Sequence, residues 1–240
     1  MKRVAIIKTG TTYPALQSRF GDFEDWFIRG LSPELDLTVI DVTAGESPGA
    51  ATDWQGIVVT GSPAMVTDRA EWSESSARWL ATAVAAEIPV LGVCYGHQLL
   101  AHALGGTVGY HPQGRETGSW PLTLKPAAAS DPLFGRLPPR FVAQLTHLQS
   151  VLTLPEGAVL LASSEFEPHQ AFRFGNTAWG VQFHPEFTAE IMRAYLQVQT
   201  PALREEKFCP DALMAGVQDA PEASSLLQRF SELVLGIRPS

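Results

Sequence analysis

Two cysteines, Cys94 and Cys209, are the whole thiol content of 240 residues, which excludes a disulfide framework and leaves at most one bridge. In a reducing compartment both are expected as free thiols. Long apolar runs are missing as well: Val4-Ala5-Ile6-Ile7 follows Lys2 and Arg3 but stops at Lys8, far short of a signal-peptide core or a spanning helix. A cytoplasmic location is expected. Basic charge is scarce, with 17 Lys and Arg against 25 Asp and Glu and a formal charge of −8. Such a field repels phosphate backbones and anionic lipid headgroups, so neither nucleic acid nor a membrane is expected as a partner. No linker rich in Gly, Ser or Pro and no internal repeat divides the chain, and the one soft boundary is near Pro201.

What is present is an ordinary globular composition, 45% hydrophobic and 18% charged, with material for one large core. Apolar strands are expected at Val4 to Lys8, Asp36 to Val42, Ile57 to Thr60, Pro89 to Val93 and Trp179 to Phe183. Helical spacing marks Asp22 to Leu31, Ser73 to Glu87, the segment after Cys94 up to Gly105-Gly106, and Thr188 to Val198 behind a Thr cap. Strands that alternate with helices point to a parallel sheet. Between Thr107 and Val181 the helical period disappears, and the short runs Trp120 to Leu124, Phe141 to Ala143, Ala158 to Ala162 and Gln170 to Phe174 read as antiparallel additions. The tail carries Leu226, Leu227, Phe230, Leu233 and Val234 at helical spacing, so a final packed helix is expected.

Three segments carry chemistry. Cys94 lies between a strand and a helix in Gly92-Val93-Cys94-Tyr95-Gly96. Glycines fit a sharp elbow there, and a helix start favours the thiolate that attacks an amide. The Tyr95 N–H is then a candidate oxyanion donor. Taken alone, Cys94 can equally be a buried structural thiol. His184-Pro185-Glu186 offers a proton carrier and a carboxylate to orient it. On an extended backbone residues two apart face the same side. By itself this pair is more often a solvated loop feature, but its joint occurrence with the elbow favours catalysis. Gly61-Ser62-Pro63 follows another strand, at the sheet edge where open α/β folds bind ligands. It reads either as a plain turn or as a loop whose Gly61 N–H is a second oxyanion donor.

Gly92-Val93-Cys94-Tyr95-Gly96-His97-Gln98, His184-Pro185-Glu186 and Gly61-Ser62-Pro63 together resemble the three signature segments of class I glutamine amidotransferases. That family includes the glutaminase parts of GMP synthetase, anthranilate synthase and carbamoyl phosphate synthetase. The resemblance covers residues 1–198 and leaves 199–240 as a helical extension packed on the same domain. It implies a flavodoxin-like open, mostly parallel sheet with helices on both faces. It also implies hydrolysis of glutamine to glutamate and ammonia through a γ-glutamyl thioester on Cys94. By the same resemblance His184 moves the proton, Glu186 orients it, Gly61 and Tyr95 hold the oxyanion, and Gln98 contacts substrate. Thr146-His147-Leu148-Gln149-Ser150-Val151 is similar to a segment that in GMP synthetase reads Ser-His-x-Asp-x-Val, so His147 is a further substrate-binding candidate. A surface histidine is the alternative. Gln149 stands where that family has Asp, which bears on coupling to a partner.

Neither a metal nor a cofactor is expected. His97 and His102, five apart, are out of phase for one helix face, and Cys209-Pro210 lacks the partner that a zinc deaminase needs. Cys209 reads as structural. The chain has no G-x-x-x-x-G-K-[S/T] loop and no S-G-G-x-D signature, so an ammonia-using synthetase is expected as a separate polypeptide. Two other functions stay open, a stand-alone hydrolase or transpeptidase of small γ-glutamyl compounds and a non-catalytic binding relative. The order His184 then Glu186 disfavours an α/β-hydrolase, whose acid precedes the histidine.

Overall fold

The first strand, β1 (Arg3–Lys8), is buried on both sides in the computed structural model, which describes residues 1–238. Val4 and Ile6 join one core cluster and Ala5 and Ile7 another, as the two-residue period of a strand between two helical layers requires. After β1 come α1 (Pro14–Phe20), α2 (Phe23–Gly30), β2 (Asp36–Asp41), β3 (Gly56–Val59), α3 (Glu71–Ala85), β4 (Val90–Val93) and α4 (Tyr95–Ala103). Seven strands follow: β5 (Thr107–Tyr110), β6 (Glu116–Leu124), β7 (Arg140–His147), β8 (Gln149–Thr153), β9 (Val159–Ser163), β10 (Ala171–Phe174) and β11 (Ala178–Val181). The chain then runs through α5 (Ala189–Glu205), α6 (Pro210–Ala215) and α7 (Pro221–Leu235).

Nine strands form one sheet in the order β2-β1-β3-β4-β11-β10-β9-β6-β7. From β2 to β11 the neighbours are parallel, and from β11 to β7 they are antiparallel. This is the expected flavodoxin-like α/β architecture with antiparallel additions. One face is covered by α2 and α7, through Phe27, Leu226, Leu227, Phe230 and Val234. The other is covered by α3 and α4, through Ala77, Leu80, Ala83, Leu99 and Leu100. A third cluster, with Leu16, Trp26, Phe187, Ile191, Met192 and Leu196, packs α5 against α1 and α2.

Capping decides several ends. The Asp22 side chain accepts the Phe23 N–H and Asp25 accepts the Asp22 N–H, closing a capping box on α2. Thr188 accepts the Ile191 N–H at 3.1 Å and starts α5. That helix continues through Pro201 to Glu205, so the boundary expected near Pro201 falls inside it. Elements not anticipated are α1, α6 and the separate two-stranded sheet of β5 and β8. Among the described residues no helix is long and apolar enough to cross a membrane.

The strand order reverses around β1 and β3, and at their carboxyl ends an open α/β sheet places its ligand crevice. The loops leaving β1, β3, β4 and β11 carry Thr9 to Tyr13, Gly61, Cys94 and His184 to that one edge.

Candidate active site

Cys94 joins β4 to α4 with φ 52° and ψ −103°, a conformation rare for a residue with a side chain. The strain is held by neighbours on both sides. A Cβ on Gly92 would lie 2.4 Å from the Gly96 carbonyl oxygen, and one on Gly96 would lie 2.5 Å from that of Val59. The Cys94 N–H donates to Val181 O at 2.9 Å, so the elbow is also pinned to β11. Cys94 is 7% exposed at the amino end of α4, where first-turn N–H groups have no partner inside the helix. Sγ lies 3.7 Å from Thr146 O and accepts a hydrogen bond from Gln182 Nε2 at 3.5 Å.

His184 and Glu186 follow β11 on a turn rather than on extended chain: the Phe187 N–H donates to His184 O at 3.3 Å. The extended backbone expected for this segment is corrected to that extent. The pairing survives because the turn folds the carboxylate back onto the ring. His184 Nδ1 bonds Glu186 Oε1 in a short contact, and both side chains are buried. Phe187 stacks on the imidazole with centroids 4.1 Å apart, and Tyr195 stacks on Phe187 at 4.9 Å. Nδ1 is thereby occupied, while Nε2 is buried without a geometrically complete hydrogen bond. Burial alone would lower the His184 pKa; the charges of Glu186 and Cys94 outweigh it and push the imidazole up to about 10. The sulfur is thus near enough to His184 to perturb its titration. This arrangement favours the imidazolium form of His184.

Gly61 is packed between the two. A Cβ there would lie 3.2 Å from His184 Cε1 and 3.8 Å from Cys94 Cβ. Its carbonyl accepts hydrogen bonds from the Thr9 and Thr60 hydroxyls, both at 3.0 Å, which anchor the loop. Tyr95 opens α4, and its hydroxyl pairs with that of Ser73, away from the sulfur. Burial raises the Tyr95 pKa, with nearby Asp68 and Glu74 adding to it. Gln98 Nε2 donates to Gln149 O at 2.7 Å and to Gln182 Oε1 at 3.1 Å.

His147 is not a surface residue. It is 5% exposed, with Nδ1 2.8 Å from Gln149 O and Nε2 2.8 Å from Glu116 Oε1. Both ring nitrogens therefore meet oxygen acceptors, as only an imidazolium allows. Burial would lower its pKa, but the bond to Glu116 raises it overall. With both nitrogens engaged, His147 contributes to the site by shape and charge, through backbone it holds in place. Gln149 has a similar part: its Nε2 donates to Thr67 Oγ1 at 2.6 Å and its Oε1 accepts the Thr67 N–H at 3.5 Å. A carboxylate could not make the first bond as donor.

Cys94, Tyr95, Gln98, His147 and His184 line one cavity of about 320 Å³, whose other walls include Tyr13, Met65, Arg115, Thr146 and Tyr195. Two contributors escaped sequence reasoning. Gln182 bonds the sulfur, and the available signal was a polar residue two before His184 in an apolar run, just past the end of β11. Arg115 had no signal, because only the tertiary fold brings it to the cavity. His97 is buried against Phe172, 5.1 Å between centroids, and burial drives its pKa down to about 3; His102 bonds Glu74 at 3.0 Å. Cys209 is exposed at the start of α6 and remote in role from the cavity lining.

Known proteins resemble this chain in sequence or in fold. The GMP synthase of Thermosipho africanus is 45% identical over 102 residues, which are 42% of this chain and 19% of that protein. The chain thus spans about a fifth of that relative's length. A glutamine-hydrolysing GMP synthase subunit from Halobacterium salinarum is 33% identical over 156 residues, 64% of this chain and 78% of the relative. A glutamine amidotransferase from Thermotoga maritima superposes with a TM-score of 0.77 at 22% identity, over 98% of each chain, and shares the fold. The Glutamine amidotransferase class-I family profile matches residues 27–199, from within α2 to the middle of α5, and the chain belongs to that family.

Proposed function

We propose that this chain hydrolyses the side-chain amide of glutamine, with Cys94 as nucleophile, His184 as proton carrier and Glu186 as its orienting carboxylate. The observation that carries the reading is His184: one nitrogen held by Glu186, the other left beside a thiol on a strained elbow at a cavity wall. Cys94 Sγ attacks the amide carbon, and the carbonyl oxygen takes up negative charge facing the N–H groups of Gly61 and Tyr95. His184 then protonates the departing nitrogen as the C–N bond breaks, releasing ammonia and leaving a γ-glutamyl thioester. Water, deprotonated by His184, cleaves the thioester to glutamate and restores the thiol. Gln182 and the start of α4 stabilise the thiolate, while Gln98 and His147 hold the substrate-facing wall.

A cavity of about 320 Å³ sits at the small end of ligand pockets, which supports a glutamine-sized acyl group. The Halobacterium salinarum relative is one subunit of its synthase. That supports a separate synthetase polypeptide as the consumer of the ammonia, in the cytoplasm. The test is ammonia release from glutamine by wild type and Cys94→Ala, with and without a glutamine-like electrophile whose site of attachment is mapped by mass. Release equal in the two proteins would overturn the reading. A preference for γ-glutamyl peptides over glutamine would move it to a stand-alone γ-glutamyl hydrolase.

A further inference from the structure

Glutamine presents an amide at one end and an α-carboxylate at the other, and the residues above account only for the amide. We infer that Arg115 receives the α-carboxylate of the γ-glutamyl substrate and so makes the site selective for substrates with a free amino-acid end. This rests on the glutamine-hydrolase reading and extends it to the far end of the same cavity.

Arg115 is the only Lys, Arg, Asp or Glu among the cavity-lining residues. The two histidines in the lining are already matched, His184 by Glu186 and His147 by Glu116. Arg115 is ion-paired too, to Glu206 from outside the lining, but a guanidinium has five N–H donors and this pairing takes two of them. The guanidinium is held rather than loose. Nε donates to Glu206 Oε2 at 2.9 Å and Nη2 to Glu206 Oε1 at 3.0 Å, and the side chain is 11% exposed. Glu206 sits just past the end of α5. Its fork orients the guanidinium while Nη1 makes no hydrogen bond among the described residues. A planar fork with spare donors, fixed in advance, is the group best suited to a carboxylate.

The strand register supplies the spacing. Thr146, whose carbonyl touches Sγ, stands opposite Thr117, and the next pair is His147 with Glu116. Arg115 immediately precedes β6, two residues from Thr117, or about 7 Å where the chain is extended. The sulfur and the guanidinium thus address positions along one wall that a five-carbon amino acid can bridge.

The test measures binding to Cys94→Ala protein by calorimetry and hydrolysis by protein with Cys94 intact. Two ligands are compared, L-glutamine and γ-aminobutyramide, which is glutamine without its α-carboxylate. Arg115→Gln is expected to weaken glutamine binding by roughly 10- to 100-fold, the range of a charge-assisted hydrogen bond. The loss should appear in KM far more than in kcat. The same change should leave γ-aminobutyramide unaffected, and alkylation of Cys94 by iodoacetamide should keep its rate. Glu206→Gln, which frees the fork without removing it, is expected to cost less than Arg115→Gln. An equal loss on both ligands, or an unchanged KM for glutamine, overturns the inference while leaving Cys94-dependent hydrolysis intact. Absence of Cys94-dependent ammonia release, with Arg115-dependent glutamine binding retained, would instead overturn the hydrolase reading alone.

Discussion

His184 is the pivot of the proposed reaction. Its Nδ1 is bound to Glu186, its face is covered by Phe187, and its second nitrogen has no hydrogen-bond partner among the described residues. Replacing Glu186 by Gln keeps the shape but removes the charge that holds the ring protonated and correctly turned. In a serine-protease triad the like change costs about 10⁴-fold in kcat. A drop on the order of 10³- to 10⁴-fold in ammonia release is expected here, measured under saturating glutamine. The same ring predicts a pH dependence of stability. Its folded pKa of about 10 lies above the ordinary 6.5, so the folded state binds the proton more tightly. The resulting stabilisation is complete below about pH 6.5 and disappears as pH rises toward 10. Urea midpoints should therefore fall between pH 7 and pH 9.5, and Glu186→Gln should flatten that slope.

The elbow between β4 and α4 shows how an element junction holds one residue in a strained conformation. Gly92 and Gly96 are not passive there, since a methyl group on either would meet backbone oxygen at 2.4 or 2.5 Å. Backbone cannot yield as the end of a side chain can. Gly96→Ala is expected to destabilise the fold by about 2 to 4 kcal/mol, read from the urea midpoint. Activity should fall further than stability explains, because the shift moves Cys94 relative to His184. This elbow was legible in the residues, as glycines on both sides of one residue between a strand and a helix fit a sharp turn. The turn at His184 to Glu186 was not. Strand spacing suggested extended chain, whereas the Phe187 N–H to His184 O bond closes a turn that periodicity cannot signal.

The whole molecule is arranged so that one sheet edge gathers loops from four parallel strands, and the tail takes part in holding that sheet. Leu226, Leu227, Phe230 and Val234 of α7 join Val4, Ile6 and Phe27 in one core cluster. Phe230→Ala is expected to cost about 3 to 5 kcal/mol, seen as a lowered thermal midpoint. Removing residues 217–240 should expose that sheet face and yield aggregated protein in gel filtration, without loss of any cavity-lining residue. Buried strands, amphipathic helices and their order follow from periodicities of two and three to four residues, which are local and therefore readable along the chain. The Cys94 elbow and the His184-Pro185-Glu186 segment were readable as candidates for the same reason, each being a short contiguous pattern. Gln182 against the sulfur, Gln149 against Thr67, Glu116 against His147 and Arg115 in the cavity wall are contacts between segments far apart in the chain. Those pairings depend on strand register and loop path, where a shift of one residue sends every side chain to the opposite face, so folding in three dimensions had to choose them.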